Sequence, residues 1–493
     1  MTNPAWVSID NEWSTFIFFL LLTAVVVFIA EIMYRKEYLS SHSTRNFVHL
    51  VVGVYSSSSP LFFNSNYYPI LIAILFLFLN LISHKYISLK SLYSSDRETF
   101  GTIYFPLSYL IMVAGFWEYP EFLIISILIL AIADPAASQV GNSVKSPNYF
   151  RVWRDQKTIQ GTIAFFLCTN FIIITIGNLF LESSLSLIFI FSLFVSTAAT
   201  LAESVSYKGT DNLSIPIISI LFMIGFFEIF QDPFHVNLAL ISYEKILIVI
   251  FIVFSFLISL KLRALTVSGC LGAMVMGILI TIFGSFTYLI PISVFFILSS
   301  ILSRVLKPKF HESTVKARDI AQVYANGGIA LIICILDFFW NDPTFIYLYL
   351  SSVASAASDT WGTEFGKLSK KHPVSILSFE KINHGISGGI TLIGTAGSLI
   401  GSLVIGLAAL LIIPIDSFVF YGIIVSGFLG SIFDSIVGAS LQGKFQTPDG
   451  KIIEDETQMA TLVSGKTWMT NNLVNLLNTA FSPLIMATFL YMI

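Results

Sequence analysis

The sequence predicts an all-α polytopic membrane protein with about sixteen transmembrane helices in two related halves of about eight. Three observations lead there. Of 493 residues, 55% are hydrophobic and only 11% charged, with a mean hydropathy of +0.83, too few charges to cover a water-soluble chain of this length. Apolar runs long enough to cross a hydrocarbon core about 30 Å thick recur from Ser14 to Ile493. Basic residues gather in alternate loops between those runs, the asymmetry that sets membrane orientation.

In order, the predicted spans are 14–33, 46–63, 67–83, 100–117, 119–137, 160–180, 185–204, 213–230, 237–260, 264–284, 285–303, 324–340, 343–360, 386–413, 417–440 and 471–493. The first run has no basic flank before it and no small-residue cleavage site after it, so it reads as a retained span rather than a signal peptide. The second is the weakest, because Ser56 to Ser59 interrupts it. Cys168, Cys270 and Cys334 all fall inside apolar runs and read as small buried hydrophobes, not as a metal site or disulfide framework.

The basic clusters are Arg35, Lys36 and Arg45; Lys85, Lys90 and Arg97; Lys145, Arg151, Arg154 and Lys157; Lys208; Lys261 and Arg263; Arg304 to Arg318; Lys367 to Lys381; and Lys444 to Lys466. Two spans separate each cluster from the next. The opposite loops carry Glu118, Glu121, Glu182, Asp232, Asp342 and Asp416, and of 26 basic residues only Lys245 falls among them. The chain is thus expected to be a multi-pass integral membrane protein, of the plasma membrane if prokaryotic, with both termini outside and the basic loops in the cytoplasm.

The halves, 1–236 and 237–493, share polar punctuation that a lipid-facing helix would not tolerate. Asp134 and Asp359 each end a span on the basic side, with Gly141 and Gly366 seven residues later. A basic loop follows, then Lys157 with Gly161 or Lys381 with Gly385, at Asp-to-Lys spacings of 23 and 22 residues. Glu203 with Asp211 and Asn212 completes the first half; Asp434 with Asn471 and Asn472 completes the second. The recurrence points to a distant internal duplication. Carboxylates, amides, glycines and lysines at one membrane face suit a phosphate and divalent-metal site: carboxylates hold Mg²⁺, lysine neutralises phosphate, and glycine lets backbone N–H groups approach the oxygens.

Each residue also has a plainer reading. A single Asp at a span end is commonly an interfacial cap, and the stretch from Gly385 to Gly389 could serve helix packing. Repetition of the spacing is what favours the functional reading for Asp134 and Asp359. Lys85, Lys90, Lys307 and Lys309 are read as topology signals, and His49 and His384 are given no role in proton transfer. Walker-type, kinase-type, G-x-S-x-G, H-E-x-x-H and Cys/His metal motifs are all missing, so a nucleotide site here has to be built from helix ends.

The string I-A-D-P-A-A-S-Q-V-G, then K-T-I-Q-G-T, then A-E-S-V-S-Y-K-G-T-D-N-L-S-I-P resembles the phytol kinase and dolichol kinase family, as do Arg45 to Leu50 and Gly101 to Pro106. The likeness covers about residues 40–230. It implies phosphorylation of a long isoprenoid alcohol by a nucleoside triphosphate, typically CTP, with a divalent metal. Asp134, Lys157, Gly161, Glu203, Asp211 and Asn212 would then be nucleotide and metal residues, and Gln160 stands where many relatives carry an acid. Residues 237–493 are similar to a second membrane family that includes plant phytyl-phosphate kinase. The residues that carry this are Ala264 to Gly269, Gln322 to Gly328, Ser358 to Gly366, H-G-I-S-G-G, Gly430 to Gln442, and Thr470 to Asn475.

Together these imply a bifunctional kinase that converts a prenyl alcohol, of the phytol or geranylgeraniol type, to its monophosphate and then to its diphosphate. The expected catalytic residues are Asp134, Lys157, Glu203, Asp359, Lys381 and Asp434. Metal ligands would be Asp134, Glu203, Asp359, Glu364 and Asp434, and the nucleotide would meet Gly141, Gly161, Asp211, Asn212, Gly366, Gly388, Asn471 and Asn472. Expected partners are Mg²⁺, CTP or another nucleoside triphosphate, isoprenoid alcohols and prenyl monophosphates within the bilayer; nucleic acid is not among them. CTP-dependent nucleotidyl transfer of the CDP-lipid synthase type is the alternative chemistry. A duplicated-half transporter is the alternative class, disfavoured because the polar residues gather at one face rather than the midplane.

Overall fold

The computed structural model describes residues 11–86, 100–181, 183–229, 263–306, 317–454 and 459–492, with scattered residues between 250 and 261. The chain forms two compact units, Met1–Ser242 and Tyr243–Ile493. Among the described residues ten helices are long and apolar enough to cross a membrane: Glu12–Arg35, Pro120–Ser143, Ile159–Phe180, Leu185–Ser204, Asp211–Ile229, Val267–Val305, Ile320–Trp340, Leu392–Ile412, Ser417–Ser440 and Asn471–Tyr491. Tyr67–Ser83 and Gly101–Gly115 are apolar but shorter. The chain is a multi-pass membrane protein.

In the first unit the central element is Pro120–Ser143. Phe122, Leu123, Ile124, Ile125, Ile127, Leu128, Ile129 and Leu130 are all buried, so this helix is apolar on every side, as a helix enclosed by neighbours must be. Helices Gly101–Gly115, Ile159–Phe180 and Asp211–Ile229 surround it. In the second unit the centre is Thr344–Gly366, and it is built differently. Its buried run, Tyr349 to Ser358, is mostly Ser and Ala, and small side chains let neighbouring backbones close in. Hydrogen bonds then cross between helices: Ser352 Oγ donates to the Thr479 carbonyl at 2.9 Å, and Ser482 Oγ to the Ser351 carbonyl at 2.8 Å.

Several predicted spans change shape. The run 46–63 becomes a helix over Ser41–Ser57 and a short one over Ser59–Phe62, separated at Ser58 within the serine tract. The runs 264–284 and 285–303 are joined as Val267–Val305 with a kink at Ser285, whose φ of 59° is left-handed. The run 386–413 loses its start, because Gly389–Ile390 is a strand paired with Val374–Ser375 and the helix begins at Leu392 under a Thr391 cap. Most of 237–260 lies outside the described residues. Among the described residues ten helices qualify, against about sixteen predicted spans.

One close crossing recurs. A Cβ on Gly161 would meet Thr158 Oγ1 at 2.7 Å and the Ala137 carbonyl oxygen at 2.9 Å, with Gly141 Cα at 3.6 Å. In the second unit a Cβ on Gly394 would meet Thr391 Oγ1 and the Gly362 carbonyl oxygen, both at 3.0 Å, with Gly366 Cα at 3.3 Å. Thr158 and Thr391 each cap the following helix by accepting from the Gly161 or Gly394 N–H, at 3.1 and 3.0 Å. Packing accounts for Gly141, where an added Cβ would sit 2.5 Å from Thr158 Oγ1, whereas at Gly366 it would meet nothing closer than 3.7 Å. Gly161→Val should lower stability by about 1–3 kcal/mol, read as a lower unfolding midpoint in detergent. Gly115→Ala, where an added Cβ meets nothing within 4 Å, should leave the midpoint nearly unchanged.

Candidate functional site

Lys157 reaches its site on a hairpin. Strands Tyr149–Arg151 and Gln156–Thr158 pair antiparallel, with Phe150 opposite Lys157. Gln160, just inside the next helix, accepts the Asn148 N–H at 3.2 Å and fastens the hairpin's base. Asp155, at its tip, accepts the Lys208 N–H at 3.4 Å, tying the hairpin to the turn after Glu203. The Arg154 guanidinium lies 5.0 Å from the ring centres of both Trp153 and Tyr207, a cation–π contact holding the same two segments together. Lys157 Nζ donates to Glu203 Oε1 at 2.5 Å, and both side chains are largely buried, at 18% and 6% exposure. Burial opposes the ammonium's charge, but Glu203, Asp211 and Asp134 outweigh it and hold the Lys157 pKa above the ordinary lysine value.

Asp134 arrives by a different device. Residues Ile129–Ala133 form a π turn, in which carbonyls bond to N–H groups five residues on. The partner due to Leu130 is Pro135, which has no N–H. His49 fills the gap: its Nε2 donates to the Leu130 carbonyl at 3.1 Å, with Phe105 edge-on to the ring at 5.0 Å. Sequence reasoning gave His49 no role. A proline five residues after an apolar carbonyl, with a histidine on another span, was the signal.

Around this point Asp134 feels the charges of Asp211, Lys157, Glu203 and Arg45. Asp211 opens its helix, accepting from Ser206 Oγ at 3.3 Å and from the Asn212 N–H at 3.0 Å. The Asn212 amide braces the same turn, donating to the Gly209 carbonyl at 3.1 Å. Three acids thus gather with Lys157 and Arg45, and Glu203 Oε2 is buried with no hydrogen-bond partner among the described residues. An oxygen of that kind suits a cation. No group of three or more His, Cys, Asp or Glu arranged to hold a metal occurs among the described residues. Mg²⁺ commonly takes one or two carboxylates and completes its shell with water and phosphate, so the donor set fits that mode.

In the second unit Asp434 interacts with Asp359, Glu454 and Asn478. Its Oδ1 is buried without a hydrogen-bond partner among the described residues. Asn478 was not anticipated. It lies deeper in the helix that Asn471 opens, and Asn471, Asn475 and Asn478 share one face by their spacing. Three asparagines on one face of a spanning helix was the available signal. Asn471 itself is exposed and Asn472 half-buried at the helix start.

Two expectations do not hold in the geometry. Glu364 is not brought to Asp359 and Asp434: it accepts from Ser303 Oγ at 3.0 Å and from Lys367 Nζ at 2.9 Å. Five helical residues separate it from Asp359, which turns it to another face. Lys381 is exposed, and the charges that Asp434 feels are both negative. The Thr391 cap and the Gly366–Gly394 crossing place Ile390, not Lys381, where the first unit has Lys157, and Gly394, not Gly385, where it has Gly161. Gly388 has φ +83°, and an added Cβ would sit 2.3 Å from Ala439 Cβ, so only glycine fits its turn.

Two outcomes are expected. Lys157→Met strands Glu203 in a buried place and should cost about 3–5 kcal/mol of unfolding free energy. Because the folded-state pKa of Lys157 is raised, its contribution is complete below the ordinary lysine value and fades as pH rises through the folded value. The difference in melting midpoint between wild type and variant should therefore be constant through neutral pH and shrink at strongly alkaline pH. His49→Phe should cost about 1–3 kcal/mol by orphaning the Leu130 carbonyl, and His49→Gln, which restores a donor, should recover most of it.

Comparison with known proteins places these features in a lineage. The chain is 37% identical over 186 residues to an uncharacterized membrane protein of Methanocaldococcus jannaschii, covering 37% of this chain and 77% of that one. It is 27% identical over 275 residues to Protein PGR of Arabidopsis thaliana, covering 47% of this chain and 92% of the relative. Phytol kinase of Synechocystis is 25% identical over 223 residues, covering 45% of this chain and 92% of that enzyme. No solved structure matches the chain. Residues 250–482 match the family described as Integral membrane protein DUF92, and the chain belongs to that family.

Proposed function

We propose that this protein is a membrane kinase of isoprenoid lipids that works in two steps, each unit carrying one. The observation that bears most weight is the buried Lys157–Glu203 pair with Asp134 and Asp211 around it. A lysine held among carboxylates at the end of a spanning helix suits phosphoryl transfer, where catalysis is mostly placement and charge stabilisation. Likeness to phytol kinase of Synechocystis supports an alcohol as acceptor.

In the first unit, Asp134 and Glu203 would hold Mg²⁺, which when bound neutralises charge on the triphosphate of CTP. Lys157 neutralises the transferred group, and Asp211 with Asn212 fixes the turn that frames it. The prenyl alcohol oxygen attacks the γ-phosphorus, the bond to the bridging β-oxygen breaks, and CDP departs. The hydroxyl proton passes to a carboxylate of the cluster, and the apolar tail stays in lipid. In the second unit Asp359 and Asp434, with Asn471 and Asn472 opening the last helix, would serve transfer to the monophosphate. The basic loops favour a cytoplasmic side for both sites, where nucleotide is found.

Purified protein is to be given CTP labelled in the γ-phosphate or in the α-phosphate, with phytol, geranylgeraniol or their monophosphates, and the lipids separated by chromatography. Label from the γ-position should enter the lipid; entry of the α-label would mean nucleotidyl transfer and sink the kinase reading. Asp134→Ala should cut monophosphate formation at least roughly 100-fold. Asp359→Ala should leave monophosphate accumulating, and unchanged diphosphate output would refute the division of labour.

A further inference from the structure

We infer that loop 385–389 of the second unit is a binding site for a phosphate group, and that the Glu454 carboxylate occupies it as an internal stand-in. Three donors converge on that one carboxylate. The Ser387 N–H reaches Glu454 Oε1 at 2.5 Å, Ser387 Oγ reaches Oε2 at 2.9 Å, and Gln442 Nε2 reaches Oε2 at 2.8 Å. Gln442 is only 1% exposed, so its amide is fixed in place rather than lent from the surface. Gly385 and Gly388 take φ of +84° and +83° on either side of Ser387, the alternation that turns backbone N–H groups into a concave anion cradle. Lys444, half-buried beside Ala439, adds a positive charge that Glu454 feels.

A phosphate presents what a carboxylate presents: terminal oxygens that accept several charge-assisted bonds. Glu454 also has acidic neighbours. It stands at the end of strand Ile452–Ile453, and Asp434, itself next to Asp359, lies within range of its charge. A phosphate arriving with Mg²⁺ would take the donors that Glu454 uses and bring a cation for the neighbouring acids. The Glu454 carboxylate therefore acts as a plug that the substrate's own anion displaces. This inference rests on the kinase reading of the second unit for its purpose, but the binding it requires is measured without turnover.

The ligand is a phosphate monoester or diphosphate group, carried either by the nucleotide in water or by a prenyl phosphate in lipid. Full-length protein in lipid nanodiscs, with Mg²⁺, is titrated with inorganic pyrophosphate in one arm. In the other arm farnesyl monophosphate is incorporated in the disc. Phosphorus NMR reads the bound fraction in both. Glu454→Gln should bind one of the two probes roughly ten times more tightly than wild type, the effect of removing a competing internal anion. Glu454→Asp, which shortens the arm, should gain in the same direction, and adding Ser387→Ala to either should abolish the gain. If neither Glu454 variant binds more tightly, or the gain survives Ser387→Ala, the inference is overturned. A gain in binding without any kinase turnover would refute the functional reading and leave this one standing.

Discussion

Taking a carboxylate out of water costs several kcal/mol, and a membrane protein has little water with which to soften that penalty. In the first unit the Lys157 ammonium meets the largest part of that demand, at Glu203. Lys157 stands against Glu203 and within the fields of Asp134 and Asp211, and each other local feature exists to bring those groups together. The hairpin delivers the lysine, the π turn with Pro135 sets Asp134, and the turn from Ser206 to Asp211 sets the third acid.

The second unit answers the same demand without a lysine in that position. Ile390 occupies it, and Asp434, beside Asp359, meets Asn478 and the charge of Glu454 instead. Its central helix is correspondingly polar inside, donating from Ser352 to one carbonyl of the last helix and accepting from Ser482 of that helix at its own Ser351 carbonyl. The two units share the threonine cap and the glycine crossing, features of backbone geometry, and differ in the side chains that carry charge.

Much of this was readable in the chain. Hydropathy located the long helices, because a bilayer imposes one length on all of them. Asp134, Lys157, Glu203 and Asp211 were named from their spacing and motif, and the structure brings all four together. Spacing failed where loops differ in length. The near-equal Asp-to-Lys intervals suggested that Lys381 repeats Lys157, yet the second unit holds extra residues before its Thr391 cap. Helical phase was the other omission, since Glu364 sits close to Asp359 in number but faces Ser303. His49 and Asn478 went unassigned because their partners, an orphaned carbonyl and a buried acid, are visible only once helices are packed.

The hairpin that carries Lys157 is fastened at both ends, by Gln160 at its base and Asp155 at its tip. A free lysine side chain gives up about 2 kcal/mol of rotational freedom when it is fixed. Here that loss is already incurred during folding, so an anion meets an arm that has stopped moving. Affinity at such a place depends less on how many bonds form than on how little has to be rearranged. Loosening the tip should make capture slower and weaker even with the ammonium chemically intact.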